Sequence, residues 1–448
     1  MKLAAGRNKR GRRMGYLTAA AILSATLTPF AASGDQSVQS PADPLGRWAT
    51  LDDFQARILT VDLEVDHPVC SNGVKWLGGD RYHVPDGVAT FSIFSYTAPG
   101  VTETVVLPYP IPGALFQEPA VRAIIGGYLY FGACRSQNAF SSLSYEYKLN
   151  LTTMALTNLT PSGIQGHVAF QSAYNQADHK IYAVGQSNNA GILMSDVMVI
   201  DTANDTVSHY QIPGTTDANE FTGILDDGSN IIAAEQTGVW VIPKATISNP
   251  ATYVKHALAL GTGGAPHARL FKHGGTYYIF TDYLRNYQSD NLVNWTASGI
   301  FASAPPLYAA AAPIAYDSAS DTLYGIGSEA DPSIAGGYAT CILVGKWLNG
   351  AYSETHHKLK IGFWPFTMRL GPAGKLILGA IYGPFHSFPG NNNFHDFIEV
   401  DTTTWDYRYL SYHQPGGLEL QSAQDEDDFY FSAYGYNGQG GIVRLTLK

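Results

Sequence analysis

Short apolar stretches alternate with Gly, Asp and Asn turns along most of the 448-residue chain. One phrase recurs: an apolar stretch, a tight turn, and then a branched or Tyr-rich stretch. The turn and second stretch appear eight times, at spacings of 46 to 53 residues: 78–84, 126–132, 178–185, 228–235, 274–282, 320–328, 374–382 and 427–434. Because alternating apolar runs bounded by turn residues are strand and hairpin signals, the pattern predicts an all-β fold built from repeats.

Each repeat has room for about four short strands, as at 168–174, 180–185, 194–201 and 206–212. Four strands in 40–50 residues is the repeat of a β-propeller, in which each unit forms one blade around a central channel. The last unit has only three strands before the chain ends, and a strand near 57–64 is predicted to supply the fourth. We therefore expect a single propeller of seven four-stranded blades over residues 47–448. Eight hairpins are counted, so eight blades is the alternative. The first hairpin has the weakest pattern, and it is the one that a seven-bladed propeller would leave out.

The N-terminus has the pattern of an export signal. A basic stretch from Arg7 to Arg13 precedes an apolar run at 17–27, and small residues follow as far as Ser33. The run is too short for a membrane span. We expect a signal peptide at 1–33, a polar linker at 34–46, and a secreted or periplasmic monomer with no membrane span after cleavage. The alternatives are the twin-arginine export route and an N-terminal helix that is retained.

Charge and cysteine content narrow the partners. The formal charge is −10, and residues 1–33 hold six basic residues and no acid, which leaves −16 for the remainder. An acidic domain has no broad attraction for phosphate, so nucleic acid is not expected as a partner. Cys70, Cys134 and Cys341 are far apart and lack zinc-site spacing, so one disulfide or buried free thiols remain the two readings.

Residues just before the first strand of each blade should meet in a ring at one end of the channel. In chain order these residues are Glu118, His167, Glu220, His267, Tyr308, Trp364 and Glu419, and Arg122, Arg269 and Arg369 lie a little further along the same strands. Aromatic rings, carboxylates, imidazoles and guanidinium groups are what a sugar site requires. Each residue also has a structural alternative, such as an ion pair between Arg269 and Glu118 or Glu220. No metal or cofactor is predicted, although a divalent metal stays open.

Two segments carry a resemblance. The stretch 266–295 has an apolar strand, a Gly-Gly turn and a Tyr-Tyr-Ile-Phe strand, and then Ser289, Asp290, Leu292 and Trp295; 118–132 looks like a second copy of its first part. This phrase resembles β-propeller carbohydrate-active enzymes, the polysaccharide lyases and related glycoside hydrolases. The resemblance implies cleavage of a polysaccharide, in lyases by proton abstraction beside a uronate carboxylate that Arg or a metal neutralises.

The candidate roles follow from that chemistry. For a lyase, we expect His267 or His167 to transfer the proton with Tyr308 as partner, and Arg269 to neutralise the carboxylate because residues i and i+2 of a strand share a side. Substrate-binding candidates are Arg122, Arg369, Trp364 and Glu419. If the enzyme is instead a two-carboxylate glycoside hydrolase, Glu118 and Glu220 are the catalytic candidates.

A second segment, 61–84, resembles a short module of phage tail-fibre proteins through its Ser-Asn-Gly-x-x-Trp stretch. That resemblance implies a receptor-recognition protein that binds surface glycan without cleaving it. A periplasmic scaffold with an inert channel is the third class of function considered.

Overall fold

The computed structural model describes most of the chain after residue 74. The described residues are 75–76, 82–83, 89–97, 101–111, 118–134, 143–153, 155–165, 168–189, 191–215, 221–260, 268–281, 286–302, 314–332, 338–359, 364–371, 374–382, 394–415, 417–425, 428–434 and 440–446. The predicted signal peptide, the linker, the strand near 57–64 and Cys70 lie outside them.

The chain is all-β, as predicted, and its described strands pair antiparallel except at one parallel contact described below. The first four strands are β1 (Lys75–Trp76), β2 (Tyr82–His83), β3 (Ala89–Thr97) and β4 (Val101–Ile111). Among the described strands, β1 and β2 pair only with each other, whereas β3 and β4 join strands from the other end of the chain, as described below.

Six four-stranded blades follow. Blade 1 is β5 (Glu118–Ile125), β6 (Tyr128–Cys134), β7 (Leu143–Asn150) and β8 (Leu156–Asn158), with the short β9 (Ile164–Gln165) added on β7. Blade 2 is β10 (Val168–Asn175), β11 (Lys180–Asn189), β12 (Ile192–Asp201) and β13 (Thr206–Gln211). Blade 3 is β14 (Phe221–Asp226), β15 (Asn230–Glu235), β16 (Gly238–Pro243) and β17 (Val254–Ala257), with 3-10 turns at Lys244–Thr246 and Pro250–Thr252.

The other three blades repeat this order. Blade 4 is β18 (Arg269–His273), β19 (Thr276–Phe280), β20 (Asn286–Ser289) and β21 (Thr296–Ala297). Blade 5 is β22 (Ile314–Asp317), β23 (Thr322–Ala330), β24 (Tyr338–Leu348) and β25 (Ala351–Lys358). Blade 6 is β26 (Trp364–Gly371), β27 (Lys375–Tyr382), β28 (Phe394–Asp401) and β29 (Tyr407–Pro415).

A mixed five-stranded sheet joins the two ends of the described chain. It contains β30 (Gly417–Asp425), β31 (Asp428–Tyr434) and β32 (Gly440–Thr446), and then β3 and β4. Strand β3 pairs with β32 in parallel, and β30 contacts both β26 and β5, so this closing sheet lies between blade 6 and blade 1.

The prediction of seven or eight four-stranded blades is therefore wrong. The described structure has six such blades and a closing sheet of five strands. The count was too high because the segment 78–84 has the sequence pattern of the repeat, whereas its described part, β2, pairs with β1 and with no other described strand. An N-terminal strand does complete the last unit, but within the described residues that strand is β3 rather than one near 57–64.

Packing between neighbouring blades supplies the core. Val184 and Val197 of blade 2 pack with Ile231 and Ala233 of blade 3, and all four side chains are fully buried. Because side chains alternate between the two faces of a strand, each blade contributes one set of residues to each neighbour. Among the described residues, no helix is long and apolar enough to span a membrane.

Charged side chains join neighbouring blades at the end where the first hairpin of each blade turns. Lys148 of blade 1 pairs with Asp205 of blade 2 at 2.9 Å, and Lys244 of blade 3 pairs with Asp178 of blade 2 at 2.8 Å. His273 of blade 4 lies 2.8 Å from Asp321 of blade 5. These contacts join neighbouring blades at the end where the hairpins turn. The residues predicted from the sequence to form a site belong to the opposite end, where the inner strands begin.

Candidate functional site

The inner strands begin close to the residues that the sequence singled out. Glu118 and Trp364 are the first residues of β5 and β26, and Glu419 is the third residue of β30. His167 and Glu220 directly precede β10 and β14 in the sequence. These strands are the innermost of their sheets, and contacts join β10 to β5 and β14, and β14 to β18. This end of the strands is our candidate site.

Several predicted side chains cannot be placed. His167, Glu220, His267 and Tyr308 lie outside the described residues. For Glu118, Trp364 and Glu419 the structure describes the strand but not the side chain. The roles expected of these seven residues therefore remain predictions. The side chains of the three candidate arginines are described, and each of them has a different environment.

Arg269 lies at the start of β18, where three inner strands converge. Its Nη1 donates to the Ala268 carbonyl at 3.3 Å, and the side chain is partly exposed. The same carbonyl accepts a hydrogen bond from Gln171 Nε2 of β10 at 3.2 Å. Between these strands, Gly223 of β14 has no side chain, and a Cβ there would lie 2.9 Å from both the Cβ and the carbonyl oxygen of Ala268. The glycine thus permits the close approach that positions Arg269.

Arg369 lies deeper along its inner strand. It is paired with Ile377, two residues from the hairpin end of β26, whereas Arg269 is four residues from the hairpin end of β18. At about 3.3 Å per residue, the two arginines are offset by roughly 7 Å along the strands. Burial lowers the pKa of Arg369 to about 10, although part of its surface stays accessible to solvent. A side chain enclosed by protein yet reached by solvent fits a narrow channel, and the guanidinium is still charged at neutral pH.

Arg122 has a different role from the one expected of it. Its Nη2 donates to Glu146 Oε1 at 2.9 Å and its Nε to Oε2 at 3.3 Å, and both side chains are buried. Glu146 is on β7, the third strand of blade 1, so this guanidinium is held within the blade. Gly132 makes room for the pair, because a Cβ there would lie 2.5 Å from Arg122 Nη2. A structural ion pair was considered above for Arg269 with Glu118 or Glu220; the structure shows such a pair for Arg122 instead, with Glu146.

The structure also shows a polar network that the sequence reasoning missed. Ser187 Oγ donates to Asp196 Oδ2 at 2.7 Å, and His209 Nδ1 lies 3.0 Å from the same oxygen. Gln211 Nε2 donates to Ser187 Oγ at 2.8 Å. The network crosses β11, β12 and β13 of blade 2. The hydrogen bond with Asp196 raises the pKa of His209. A buried acid in the apolar strand Ile192–Asp201 was the signal in the sequence.

This network has an Asp–His pair but not the arrangement of a serine hydrolase. In a serine triad the imidazole takes the proton of the nucleophilic serine. Here Ser187 is fully buried and bound to the carboxylate, so it is not placed as a nucleophile. The Asp196 carboxylate holds Nδ1 of His209, whose side chain is 39% exposed and lies on the outermost strand of the blade.

Two adjacent histidines of blade 5 and Cys341 each have structural surroundings. No group of three or more His, Cys, Asp or Glu residues is placed to hold a metal within the described part of the chain. His357 stacks on Trp405 of the next blade at 3.6 Å, while His356 lies 3.4 Å from Glu354 on its own strand. Cys341 is a buried free thiol, and burial raises its pKa to about 11.

Comparison with known proteins leaves the family open. No family model matches the chain, and no curated protein matches it. A puromycin-hydrolysing peptidase of Mycobacterium tuberculosis matches over 76% of this chain and 54% of its own, with 11% identity and a TM-score of 0.49. The β-propeller domain of the Trilobed protease from Pyrococcus furiosus matches over 74% and 93%, with 9% identity and a TM-score of 0.43.

YCF48 bound to D1 peptide matches over 62% of this chain and 80% of its own, with 14% identity and a TM-score of 0.39. The chain thus spans about half of the peptidase and most of the other two. Similarities at this level carry no argument about activity. They do not extend the resemblance to carbohydrate-active enzymes or to phage tail fibres. The chain is a β-propeller on the arrangement of its own sheets.

Proposed function

We propose that the protein binds an acidic, uronate-containing polysaccharide where the inner strands begin and cleaves it by β-elimination. The observation that carries the proposal is the position of Arg269, a partly exposed guanidinium at the start of an inner strand. Arginine suits this role because its planar, always charged group can bind a carboxylate through two parallel hydrogen bonds. The export signal expected at 1–33 agrees with a substrate outside the cytoplasm.

The charge distribution supports an acidic ligand at this place. The protein beyond residue 33 has a net charge of −16, so an anionic polymer gains nothing from the surface as a whole. Arg122 is neutralised by Glu146 inside blade 1. Arg269 and Arg369 place two more guanidinium groups at two depths of the inner strands, and a uronate carboxylate bound there would contact them rather than the outer faces of the blades.

The chemistry assigned to the site is a two-step elimination. A base removes the proton on the carbon next to the uronate carboxylate, and the electron pair moves into that carboxylate, whose charge Arg269 stabilises. The pair then forms a carbon–carbon double bond as the glycosidic carbon–oxygen bond breaks, and the leaving oxygen takes a proton. His267 and His167 are our candidates for the base, since imidazole accepts protons near neutral pH, and Tyr308 is the candidate donor.

The remaining predicted residues complete the proposed site. Trp364 supplies an apolar surface for a sugar ring, and Glu419 accepts hydrogen bonds from hydroxyl groups. Glu118 and Glu220 belong to the alternative reaction, in which two carboxylates hydrolyse the glycosidic bond. Binding without cleavage is the other alternative. Arg269 serves binding in all three cases, and only the product distinguishes them.

The test is incubation of the purified protein with uronate-containing polysaccharides and their carboxyl-reduced forms. Ultraviolet absorbance from a new 4,5-double bond, produced only from the uronate forms, is the expected result. Arg269→Ala and His267→Ala should each remove most of that activity, about 10²–10⁴-fold for a general base. Lys272→Ala, a change on the same strand nearer the hairpin turn, is the matched control. Reducing ends without the absorbance would replace elimination by hydrolysis, and binding with neither product would replace cleavage by recognition.

A further inference from the structure

Glu235 is a buried carboxylate at the end of β15, in blade 3. Its side chain is fully buried, and its Oε1 accepts a hydrogen bond from Thr237 Oγ1 at 2.9 Å and forms an ion pair with Lys255. Its Oε2 is also buried, and among the described residues it has no hydrogen-bond partner. A buried carboxylate oxygen without a donor costs free energy, because the water that solvated it has been removed.

A buried donor in the same condition lies on the same face of the sheet. Trp240 Nε1 is buried and has no hydrogen-bond partner in the described part of the protein. Trp240 is opposite Ala233 in the sheet, and Glu235 is opposite Gly238, so the two side chains share one face as diagonal neighbours. That face packs on blade 2, since Ala233 and Trp240 belong to the cluster that contains Val184 and Val197.

Lys255 covers this pair from the outer strand. It is opposite Trp240 in the sheet, its Nζ lies 5.8 Å from the Trp240 ring, and its side chain is 32% exposed. The lysine side chain passes over Gly238 to reach Glu235. A Cβ at Gly238 would lie 2.7 Å from Lys255 Cε, so the glycine leaves room for it. The aliphatic stem of a long charged side chain can cover protein surface while its charged end stays near water. Lys255 is therefore the part of this site between Glu235 and solvent, and a ligand would contact Glu235 beside it with the ion pair kept.

The facing part of blade 2 is polar at the same level. Gln186 and Ser195 are opposite each other in the sheet and follow Val184 and Val197 toward the end where the inner strands begin. Gln186, Ser195 and Thr215 are buried. The interface between blades 2 and 3 thus changes from apolar to polar at this end, near Phe221, the first residue of β14 and the partner of Glu235 in the sheet.

We infer that Glu235, Trp240 and Lys255 form a binding subsite for a neutral sugar, separate from the arginine site of the inner strands. A sugar hydroxyl can donate to Glu235 Oε2 and a second hydroxyl can accept from Trp240 Nε1, so that one saccharide satisfies both groups. Lys255 neutralises the carboxylate and can donate hydrogen bonds to the remaining hydroxyl groups. A carboxylate-bearing ligand is disfavoured, because it would approach Glu235 with like charge.

The test uses glucose, galactose and their neutral disaccharides maltose and lactose, with glycerol as a small polyol, in titration calorimetry and tryptophan fluorescence. We expect saturable binding of at least one of these saccharides to the wild-type protein. Glu235→Gln should weaken it at least about tenfold, because the hydrogen bond to a charged acceptor is lost. Trp240→Phe, which keeps an aromatic ring against Phe221, should weaken it several-fold.

Trp295→Phe is the matched control, because Trp295 Nε1 already donates to the Leu292 carbonyl at 3.0 Å. This variant should bind the saccharide as the wild type does. If Glu235→Gln does not fold, the comparison of the two Trp→Phe variants decides alone. No saturable binding to the wild type, or equal affinity in both Trp→Phe variants, would overturn the inference. Cleavage of uronate polysaccharides is measured separately, so failure of either proposal leaves the other intact.

Discussion

Gln171 Nε2 donates a hydrogen bond to the main-chain carbonyl of Ala268, 97 residues further along the chain. The bond joins the inner strands of blades 2 and 4, which are not neighbours in the ring, across the inner strand of blade 3. It is possible because blade 3 has Gly223 between them. The inner strands therefore meet directly beside Arg269. Gln171, Gly223 and Ala268 set the width available to a ligand there, and neither Gly223 nor Ala268 has a long side chain.

The first prediction concerns Gly223. An added methyl group at this position would lie 2.5 Å from Leu270 Cδ1 as well as 2.9 Å from Ala268, so the strands must separate. We expect Gly223→Ala to lower the free energy of unfolding by about 1–3 kcal/mol, as overpacking does. Urea denaturation measures this loss. Gly299→Ala is the control, since a Cβ at Gly299 has no neighbour within 4 Å; equal losses in both variants would contradict the convergence of strands at Ala268.

A second prediction compares a buried ion pair within blade 1 with a partly exposed pair that joins blade 1 to blade 2. Glu146→Gln leaves the buried Arg122 charge without its carboxylate, and removing one partner of a buried pair costs about 3–5 kcal/mol. Lys148 is two residues further along β7, and its pair with Asp205 is partly exposed, so Lys148→Met should cost no more than about 1 kcal/mol. Chemical denaturation of both variants gives the comparison. A cost for Glu146→Gln as small as that for Lys148→Met would show that Arg122 finds another partner.

The third prediction is a pair of opposite histidine titrations. The hydrogen bond with Asp196 raises the pKa of His209, whereas burial, with His356 and Lys346 nearby, lowers the pKa of His357. Stability from the His209 contact is present below the unfolded pKa of about 6.5 and is lost as the pH rises through the higher folded pKa. For His357, stability is present above about 6.5 and is lost as the pH falls through the lower folded pKa.

The measurement is the histidine NMR titration, together with the free energy of unfolding between pH 5 and pH 8. His209→Gln should remove the loss of stability on the alkaline side, and His357→Gln should remove the loss on the acidic side. Identical midpoints for the two imidazoles would contradict the assigned contacts of both residues.

The hairpins could be predicted from sequence because their turn residues have a physical requirement. Gly274 and Gly275, for example, have φ of +56° and +93°, a conformation in which other residues are strained. The number of blades could not be predicted, because the segment of β1 and β2 has the same local pattern yet, among the described strands, pairs with no blade. Closure by β3 depends on which N-terminal strand reaches β32, and alternation of apolar residues does not encode that choice.

The candidate site could also be predicted only in part. The starts of the inner strands were predicted, and Glu118 and Trp364 are the first residues of β5 and β26. The direction in which a side chain points could not be predicted. Strand β5 has a bulge at Arg122, and its guanidinium pairs with Glu146 on β7 rather than with an acid from another blade. The network of Ser187, Asp196 and His209 needs three strands in register, which no single segment reveals.

The central claim is that Arg269 binds the carboxylate of an acidic sugar. The most direct measurement is the affinity of the wild type and of Arg269→Ala for an oligouronate and for the same oligosaccharide after carboxyl reduction. We predict that the wild type binds the oligouronate at least about tenfold more tightly, as expected when a charge-assisted hydrogen bond is present in only one of the two complexes. In Arg269→Ala the two affinities should become equal. Equal affinities in the wild type, or a preference that persists in Arg269→Ala, would contradict the claim.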